Sequence, residues 1–130
     1  MEKISRSIKK KDHDDKISGR ALYVDDCVME GMLYGKLLHS TKAKARIADV
    51  VVPKLPEGYY VVNKNDVTGE NRVHIVLDDT PVYAENTVEY IGDPILMVVG
   101  PELDEVKRIL NEIVVVYEEQ IPVLDMRKSN

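Results

Sequence analysis

The sequence predicts an α+β domain with a mixed β-sheet and one long helix near its carboxyl terminus. Strand-forming residues dominate: valine is abundant, there are seven tyrosines, and Phe and Trp are absent. Helical periodicity is confined to one late segment, which lies between two apolar runs and indicates a strand–helix–strand unit. With 130 residues, 44% of them hydrophobic and 32% charged, the chain fits one compact folded domain.

The first two thirds of the chain are predicted to form short strands separated by polar turns. The predicted strands cover residues 21–24, 31–39, 46–52, 59–62, 72–77, 82–83 and 88–91. Residues 31–39 are apolar at alternate and intervening positions alike, so this strand is expected to be buried on both faces. The polar loop 63–71 around Gly69 separates two of the strands.

The last third gives the clearest pattern. Residues 95–99 form a continuous apolar strand, and residues 114–117 form another. Between them, apolar residues recur at helical spacing, namely Leu103, Val106, Ile109, Leu110 and Ile113. Because about a dozen residues join the two strands, the expected geometry is a right-handed parallel crossover.

Charge and composition exclude several classes of protein. A net charge of −5 argues against a nucleic-acid partner for the whole domain. No apolar run approaches the ~20 residues that span a bilayer, so no membrane partner is expected. The single cysteine, Cys27, forms no internal disulfide, and the amino terminus lacks a signal-peptide pattern, so a cytoplasmic location is expected.

The predicted organisation has three parts. Residues 1–11 form a basic flexible leader, residues 12–125 the folded domain, and residues 126–130 a tail. The leader carries no aromatic side chain for stacking on bases, so the alternative to a solvated segment is docking onto an acidic partner surface.

No catalytic, cofactor-binding or metal-binding residue is assigned from the sequence. His13, His39 and His74 are far apart and have no Cys or carboxylate at ligand spacing, so a zinc or iron site is not predicted. The glycines do not form a phosphate-binding loop, and loop 63–69 lacks the glutamate that a calcium loop requires.

Three further groups of residues are candidates for chemistry. Adjacent strand residues point to opposite faces, so Asp25–Asp26 and Asp78–Asp79 are interpreted as turn or edge residues rather than acids that share a proton. Cys27 has no neighbouring histidine in sequence and is interpreted as a small core residue.

Several separated motifs resemble the start of the molybdenum-binding subunit of the xanthine dehydrogenase and aldehyde oxidase family. Residues 12–26 resemble D-x-x-x-K-x-x-G-x-A-x-Y-x-x-D, residues 31–33 resemble G-M-L, residues 40–47 resemble S-P-x-A-H-A-R-I and residues 66–71 resemble D-x-x-G-x-N. Residues 90–94 resemble Y-x-G-Q-P, and residues 114–118 resemble the last five positions of V-x-V-x-Y-E. Their order fits the family over residues 8–125. The chain has Thr41 where that pattern often has proline, Lys44 where histidine is common, and Asp93 where glutamine is usual.

This resemblance implies an α/β hammerhead domain with a structural and subunit-assembly role. It also implies that the molybdopterin cofactor, the iron–sulfur clusters and FAD of the parent enzyme lie in other domains or subunits. The expected partners are therefore the remainder of the molybdenum-binding subunit, an iron–sulfur domain or subunit and a flavin subunit. The isolated chain is expected to be inactive as an oxidoreductase.

Two other functions are kept as alternatives. One is an independent protein-binding or assembly module with the same fold. The other is a small freestanding enzyme that uses Asp25, Asp26 or Cys27.

Overall fold

The computed structural model describes residues 8–74, 80–125 and 127. The chain divides into two compact units, Met1–Met32 and Leu33–Asn130. Within the described residues, no helix is both long and apolar enough to cross a membrane. The predicted domain limits at residues 12 and 125 stay a prediction.

The first unit contains a short helix, α1 (His13–Ile17), and a 3-10 turn, Val24–Asp26. The prediction of a strand over residues 21–24 was wrong. The backbone N–H of Tyr23 donates to Oδ2 of Asp26 at 2.9 Å, and the N–H of Asp26 donates back to the carbonyl of Tyr23 at 3.0 Å. These reciprocal bonds close a turn, which confirms the turn interpretation of Asp26.

The second unit contains two three-stranded antiparallel sheets. The strands are β1 (Tyr34–His39), β2 (Ala45–Val51), β3 (Tyr60–Asn63), β4 (Thr87–Val88), β5 (Pro94–Gly100) and β6 (Val114–Glu119), and the helix α2 covers Leu103–Glu112. The first sheet has the order β1–β5–β3 and the second the order β4–β2–β6. The predicted strands over residues 46–52, 59–62 and 95–99 are confirmed with shifts of one residue at their ends.

The predicted strand–helix–strand unit is present as β5, α2 and β6, but its parallel geometry was wrong. Both edges of β5 are already paired, with β1 on one side and with β3 on the other. The helix therefore carries the chain from the first sheet to the second, where β6 pairs antiparallel with β2. The α+β class is confirmed, while the expected single mixed sheet is two antiparallel sheets.

One apolar core joins the helix to both sheets. It contains Ala45, Ala84, Val88, Ile95, Leu96, Val98, Val106, Ile109 and Ile113. Helix α2 packs on β1 and β5 and buries Val106 and Ile109 completely. Since burying an Ile or Val side chain stabilises a fold by roughly 1.5–3 kcal/mol, this helix face anchors the second unit.

The predicted strands 31–39, 72–77 and 88–91 also differ from the structure, and of residues 88–91 only Val88 lies in a strand, β4. Within residues 31–39 only Tyr34–His39 form a strand, β1, and it is not buried on both faces, because Leu37 is 42% exposed. In the predicted strand 72–77, Val73 makes an isolated antiparallel bridge to Thr80, and residues 75–77 lie outside the described part of the chain.

Candidate functional site

The loop after β1 and the loop before β5 are joined at Ser40 and Asp93. Both residues are polar and deeply buried, with exposures of 3% and 4%. The N–H of Ser40 donates to the carbonyl of Asp93 at 2.8 Å, and the N–H of Gly92 donates to the carbonyl of Ser40 at 2.9 Å. Gly92 has a φ of 99°, which other residues adopt at a cost, so the glycine is needed for this connection.

The side chains of Ser40 and Asp93 are used within their own loops. The Ser40 hydroxyl donates to the carbonyl of Lys42 at 2.9 Å and accepts the N–H of Lys42 at 3.0 Å. Oδ2 of Asp93 accepts the N–H of Glu89 at 3.0 Å. In the described residues, every buried side-chain nitrogen and oxygen has a hydrogen-bond partner, and the backbone and side-chain bonds of this pair connect and stabilise the two loops.

Asn71 links two chain segments by imitating a strand pairing. Its Nδ2 donates to the carbonyl of Tyr83 at 2.7 Å, and its Oδ1 accepts the N–H of Tyr83 at 3.0 Å. The predicted strand 82–83 was wrong for this reason, since the backbone of Tyr83 bonds to a side chain rather than to a neighbouring strand. Asn71 is the last residue of the D-x-x-G-x-N motif, but nothing in the sequence alone indicates this role.

Asp66, the first residue of the same motif, caps a 3-10 turn over Lys64–Asp66. Its Oδ2 accepts the N–H of Asn63 at 2.8 Å, while Oδ1 of Asn63 accepts the N–H of Asn65 at 2.9 Å. These carboxylate and amide oxygens bond to the backbone of their own loop. They are arranged as caps of a turn, which is the geometry expected of Asn and Asp at such positions.

A cleft of about 290 Å³ opens between β2 and β3. Apolar side chains from β2, β3 and β5, including Ile47, Val61 and Leu96, line it. At its rim, Lys64 Nζ donates to the carbonyl of Glu85 and to Oδ1 of Asn86, the second at 3.1 Å. No pattern in the sequence indicates this cleft, because its lining comes from separate segments and no single stretch carries a signal.

The described residues contain no group of three or more His, Cys, Asp and Glu side chains that could hold a metal ion. His39 is exposed at the end of β1, and His74 Nε2 lies 3.9 Å from Oε2 of Glu70. The donor set therefore does not fit a metal centre. That the parent enzyme's cofactors lie outside this chain stays a prediction.

The residues considered for small-enzyme chemistry are engaged in the turn of the first unit. The Cys27 thiol donates to the carbonyl of Tyr23 at 3.5 Å and is exposed, so the interpretation of Cys27 as a core residue was wrong. The carboxylate of Asp26 accepts the Tyr23 N–H, as described above. Asp78 and Asp79 lie outside the described residues.

Ion pairs connect β2 to β6 on the solvent-exposed side of the second sheet. Arg46 binds Glu118 through Nε at 2.8 Å and through a second guanidinium nitrogen at 2.5 Å. The hydrogen bonds from Arg46 and its positive charge lower the pKa of Glu118 below its ordinary value. A second ion pair joins the segment before β2 to β6, where Lys42 Nζ lies 2.5 Å from Oε1 of Glu119.

Comparison with known sequences identifies proteins that are similar over most of this chain. Residues 18–121 match the family model described as "Aldehyde oxidase and xanthine dehydrogenase, a/b hammerhead domain". The chain is 38% identical over 113 residues to a probable xanthine dehydrogenase subunit of Bacillus subtilis (strain 168), covering 85% of this chain and 15% of that protein. It is 28% identical over 123 residues to the nicotinate dehydrogenase large molybdopterin subunit of Eubacterium barkeri, covering 92% of this chain and 29% of that protein.

Solved structures share the fold. A Cu,Mo-CO dehydrogenase superimposes with a TM-score of 0.81 and 23% identity, over 91% of this chain and 16% of that one. Quinoline 2-oxidoreductase from Pseudomonas putida 86 superimposes with a TM-score of 0.73 and 25% identity, over 88% of this chain and 16% of that one. The chain thus spans less than a third of each of these proteins.

Proposed function

Because the chain belongs to the α/β hammerhead domain family of aldehyde oxidases and xanthine dehydrogenases, we propose that it performs a structural and subunit-assembly role in a molybdenum hydroxylase. In this proposal residues 12–125 form the folded domain that takes this role, residues 1–11 are a basic leader and residues 126–130 are a tail. The chain contributes packing surface, and catalysis takes place in other parts of the enzyme.

One observation carries this proposal: the polar side chains of the family motifs hold the fold together. Four of these side chains form hydrogen bonds to backbone groups, namely those of Ser40, Asp66, Asn71 and Asp93. A catalytic or cofactor site requires polar groups that converge on a common point and remain available to a ligand. Because these motif side chains are hydrogen-bonded to the backbone, they support a scaffold role for the domain.

The parent reaction implied by the family is hydroxylation of a heterocycle or an aldehyde with oxygen derived from water. Electrons leave through iron–sulfur centres. The names of two similar proteins agree with a heterocyclic substrate, since one is a nicotinate dehydrogenase subunit and the other a quinoline oxidoreductase. No residue of this chain is assigned to molybdopterin, iron–sulfur clusters or FAD.

The partners in this proposal are the remainder of the molybdenum-binding subunit, an iron–sulfur domain or subunit and a flavin subunit. Two similar proteins are named as subunits, which supports an assembly of several parts. The basic residues Lys9, Lys10 and Lys11 of the leader suit contact with an acidic surface of such a partner.

Affinity purification from the source cells tests the proposal. With a tag placed before Met1, the sequence should be recovered in an assembly that contains molybdenum, iron and much more polypeptide than 14.7 kDa. The assembly should oxidise heterocycles or aldehydes, and the 130-residue chain produced alone should not. Recovery as a free domain bound to an unrelated protein would support the independent binding module instead. Turnover by the isolated chain, lost in a Cys27→Ala or Asp26→Asn variant, would support the freestanding enzyme.

A further inference from the structure

The outer face of the first sheet is apolar, although the core covers only its other side. Two rows of paired residues cross the three strands of this face. They are Gly35, Val99 and Tyr60 in one row and Leu37, Met97 and Val62 in the other. We refer to these six residues as the outer face. None of them carries a charge.

Direct contacts show that these residues share one side of the sheet. A Cβ placed on Gly35 would lie 3.0 Å from Sδ of Met97 and 3.8 Å from Cγ2 of Val99. The Met97 side chain therefore extends over Gly35, and the glycine leaves room for it. The alternate residues of β5, Leu96 and Val98, are 3% and 0% exposed and belong to the core on the opposite side.

The outer face is open to solvent in part, since Tyr60 is 60% and Leu37 42% exposed. Three other side chains of this face are half-buried, namely Val62, Met97 and Val99. A strand of an antiparallel sheet with one solvated side normally alternates apolar and polar residues. The second sheet shows such a solvated side, because Arg46, Asp49 and Glu118 lie on it among its valines. A sheet that is apolar on both sides instead indicates a second contact surface.

The solvent side of helix α2 gives the same contrast. Its exposed residues form ion pairs, with Lys107 2.8 Å from Asp104 and Arg108 bound to both Glu105 and Glu112. Charged residues of this kind are depleted from the centre of protein interfaces. Helix α2 is therefore suited to solvent, and the outer face to a partner.

We propose that the outer face docks against the adjoining polypeptide of the molybdenum-binding subunit, an inference that rests on the function proposed above. In the Cu,Mo-CO dehydrogenase and quinoline oxidoreductase structures, the matched region makes up 16% of the chain, so five sixths of the polypeptide lie outside this fold. Permanent interfaces are more apolar than transient ones and resemble a core cut in half. An uncharged face built from Leu, Val, Met and Tyr suits such a permanent contact.

Cysteine accessibility in the purified assembly tests this docking surface. In a Cys27→Ser background, Leu37→Cys reports on the outer face, and Val116→Cys on the second sheet is its matched control. Leu37 and Val116 both lie on strands and are 42% and 43% exposed in this structure. Tyr60→Cys and Val114→Cys form a second matched pair, at 60% and 56%. An uncharged maleimide is applied to the native and to the denatured assembly, and peptide mass spectrometry measures labelling at each position.

The proposal predicts that Leu37→Cys and Tyr60→Cys label about tenfold or more slowly than their controls in the native assembly, and equally fast after denaturation. Equal rates in the native assembly would overturn the docking surface and leave the assembly role intact. Protection in a species that contains two copies of this chain and no further polypeptide would overturn the proposed occupant. If the sequence is recovered only as a monomer of the free domain, the docking surface and the proposed function both fail.

Discussion

The aromatic ring of Tyr59 packs directly on the α-carbon of Gly100, the last residue of β5. A Cβ on Gly100 would overlap ring atoms Cδ1 and Cε1 and lie 2.9 Å from Cγ. Burial raises the pKa of the Tyr59 phenol above its ordinary value, and the negative charge of Glu102 raises it further. This contact holds the start of β3 against the corner where β5 leads into α2. Tyr59 therefore helps to fix the positions of β3, β5 and α2 relative to one another.

Gly100→Ala should destabilise the fold by about 1–3 kcal/mol, because the new methyl group displaces the Tyr59 ring from its packed position. Urea unfolding followed by circular dichroism measures the loss. Gly69→Ala is the control: a Cβ there meets nothing within 4 Å, so this variant should be neutral or more stable by up to about 1 kcal/mol. Equal stabilities for the two variants would contradict the packing described for Tyr59.

Asn71→Ala should cost about 1–3 kcal/mol, since it removes both hydrogen bonds to Tyr83 and leaves a part-buried backbone N–H and carbonyl without their partner. The exposed Asn111 on α2 provides the comparison. Asn111→Ala should be neutral or slightly stabilising, because alanine has the higher helix propensity. Thermal unfolding of both variants checks the difference, and a loss no greater for Asn71→Ala than for Asn111→Ala would remove its proposed structural role.

At position 93, the structure requires a hydrogen-bond acceptor, and a charge is not needed for that bond. Asp93→Asn should keep its acceptor for the Glu89 N–H and stay within about 0.5 kcal/mol of the unmodified chain. Asp93→Ala should lose about 1–2 kcal/mol, because the N–H then has no partner. Chemical denaturation distinguishes these outcomes, and a larger loss for Asn than for Ala would show that the bond to Glu89 is not what the residue provides.

Glu118 should titrate below its ordinary range, because Arg46 donates hydrogen bonds to its carboxylate and adds a positive charge. A depressed folded-state pKa means that the stabilisation from this pair is present above the unfolded-state pKa and is lost as the pH falls through the folded-state pKa. Carbon-detected NMR titration should show the pKa of Glu118 rising in Arg46→Gln.

The matched variant for this titration is Lys107→Gln on α2. It should raise the pKa of Asp104, which the hydrogen bond and charge of Lys107 lower, without moving that of Glu118. An unchanged Glu118 titration in Arg46→Gln would show that the bidentate pair is not formed in solution.

Several elements of the fold could be predicted from local pattern alone. The five apolar residues at helical spacing predicted α2, and the apolar runs on either side predicted β5 and β6. Pairing could not be predicted in the same way, because an apolar run does not identify its neighbours. For this reason β5 and β6 were predicted to be parallel strands joined by a crossover in one sheet, whereas they lie in different sheets.

The roles of the motif residues depend on contacts between separate parts of the chain. Nothing near Asn71 in sequence indicates that its side chain meets Tyr83, and Ser40 and Asp93 are joined across 53 positions. The apolar composition of residues 31–39 predicted a strand buried on both faces, and it could not indicate which side of β1 the core would leave exposed. The outer face is the structural explanation of that pattern.

Molybdenum and iron analysis of two samples tests the central claim, that this domain supplies structure while the redox chemistry lies elsewhere. The tagged assembly and the 130-residue chain expressed alone are prepared from the same cofactor-producing cells. The account predicts both metals in the assembly and neither, beyond trace amounts, in the isolated chain. Molybdenum bound in stoichiometric amount to the isolated chain would contradict it.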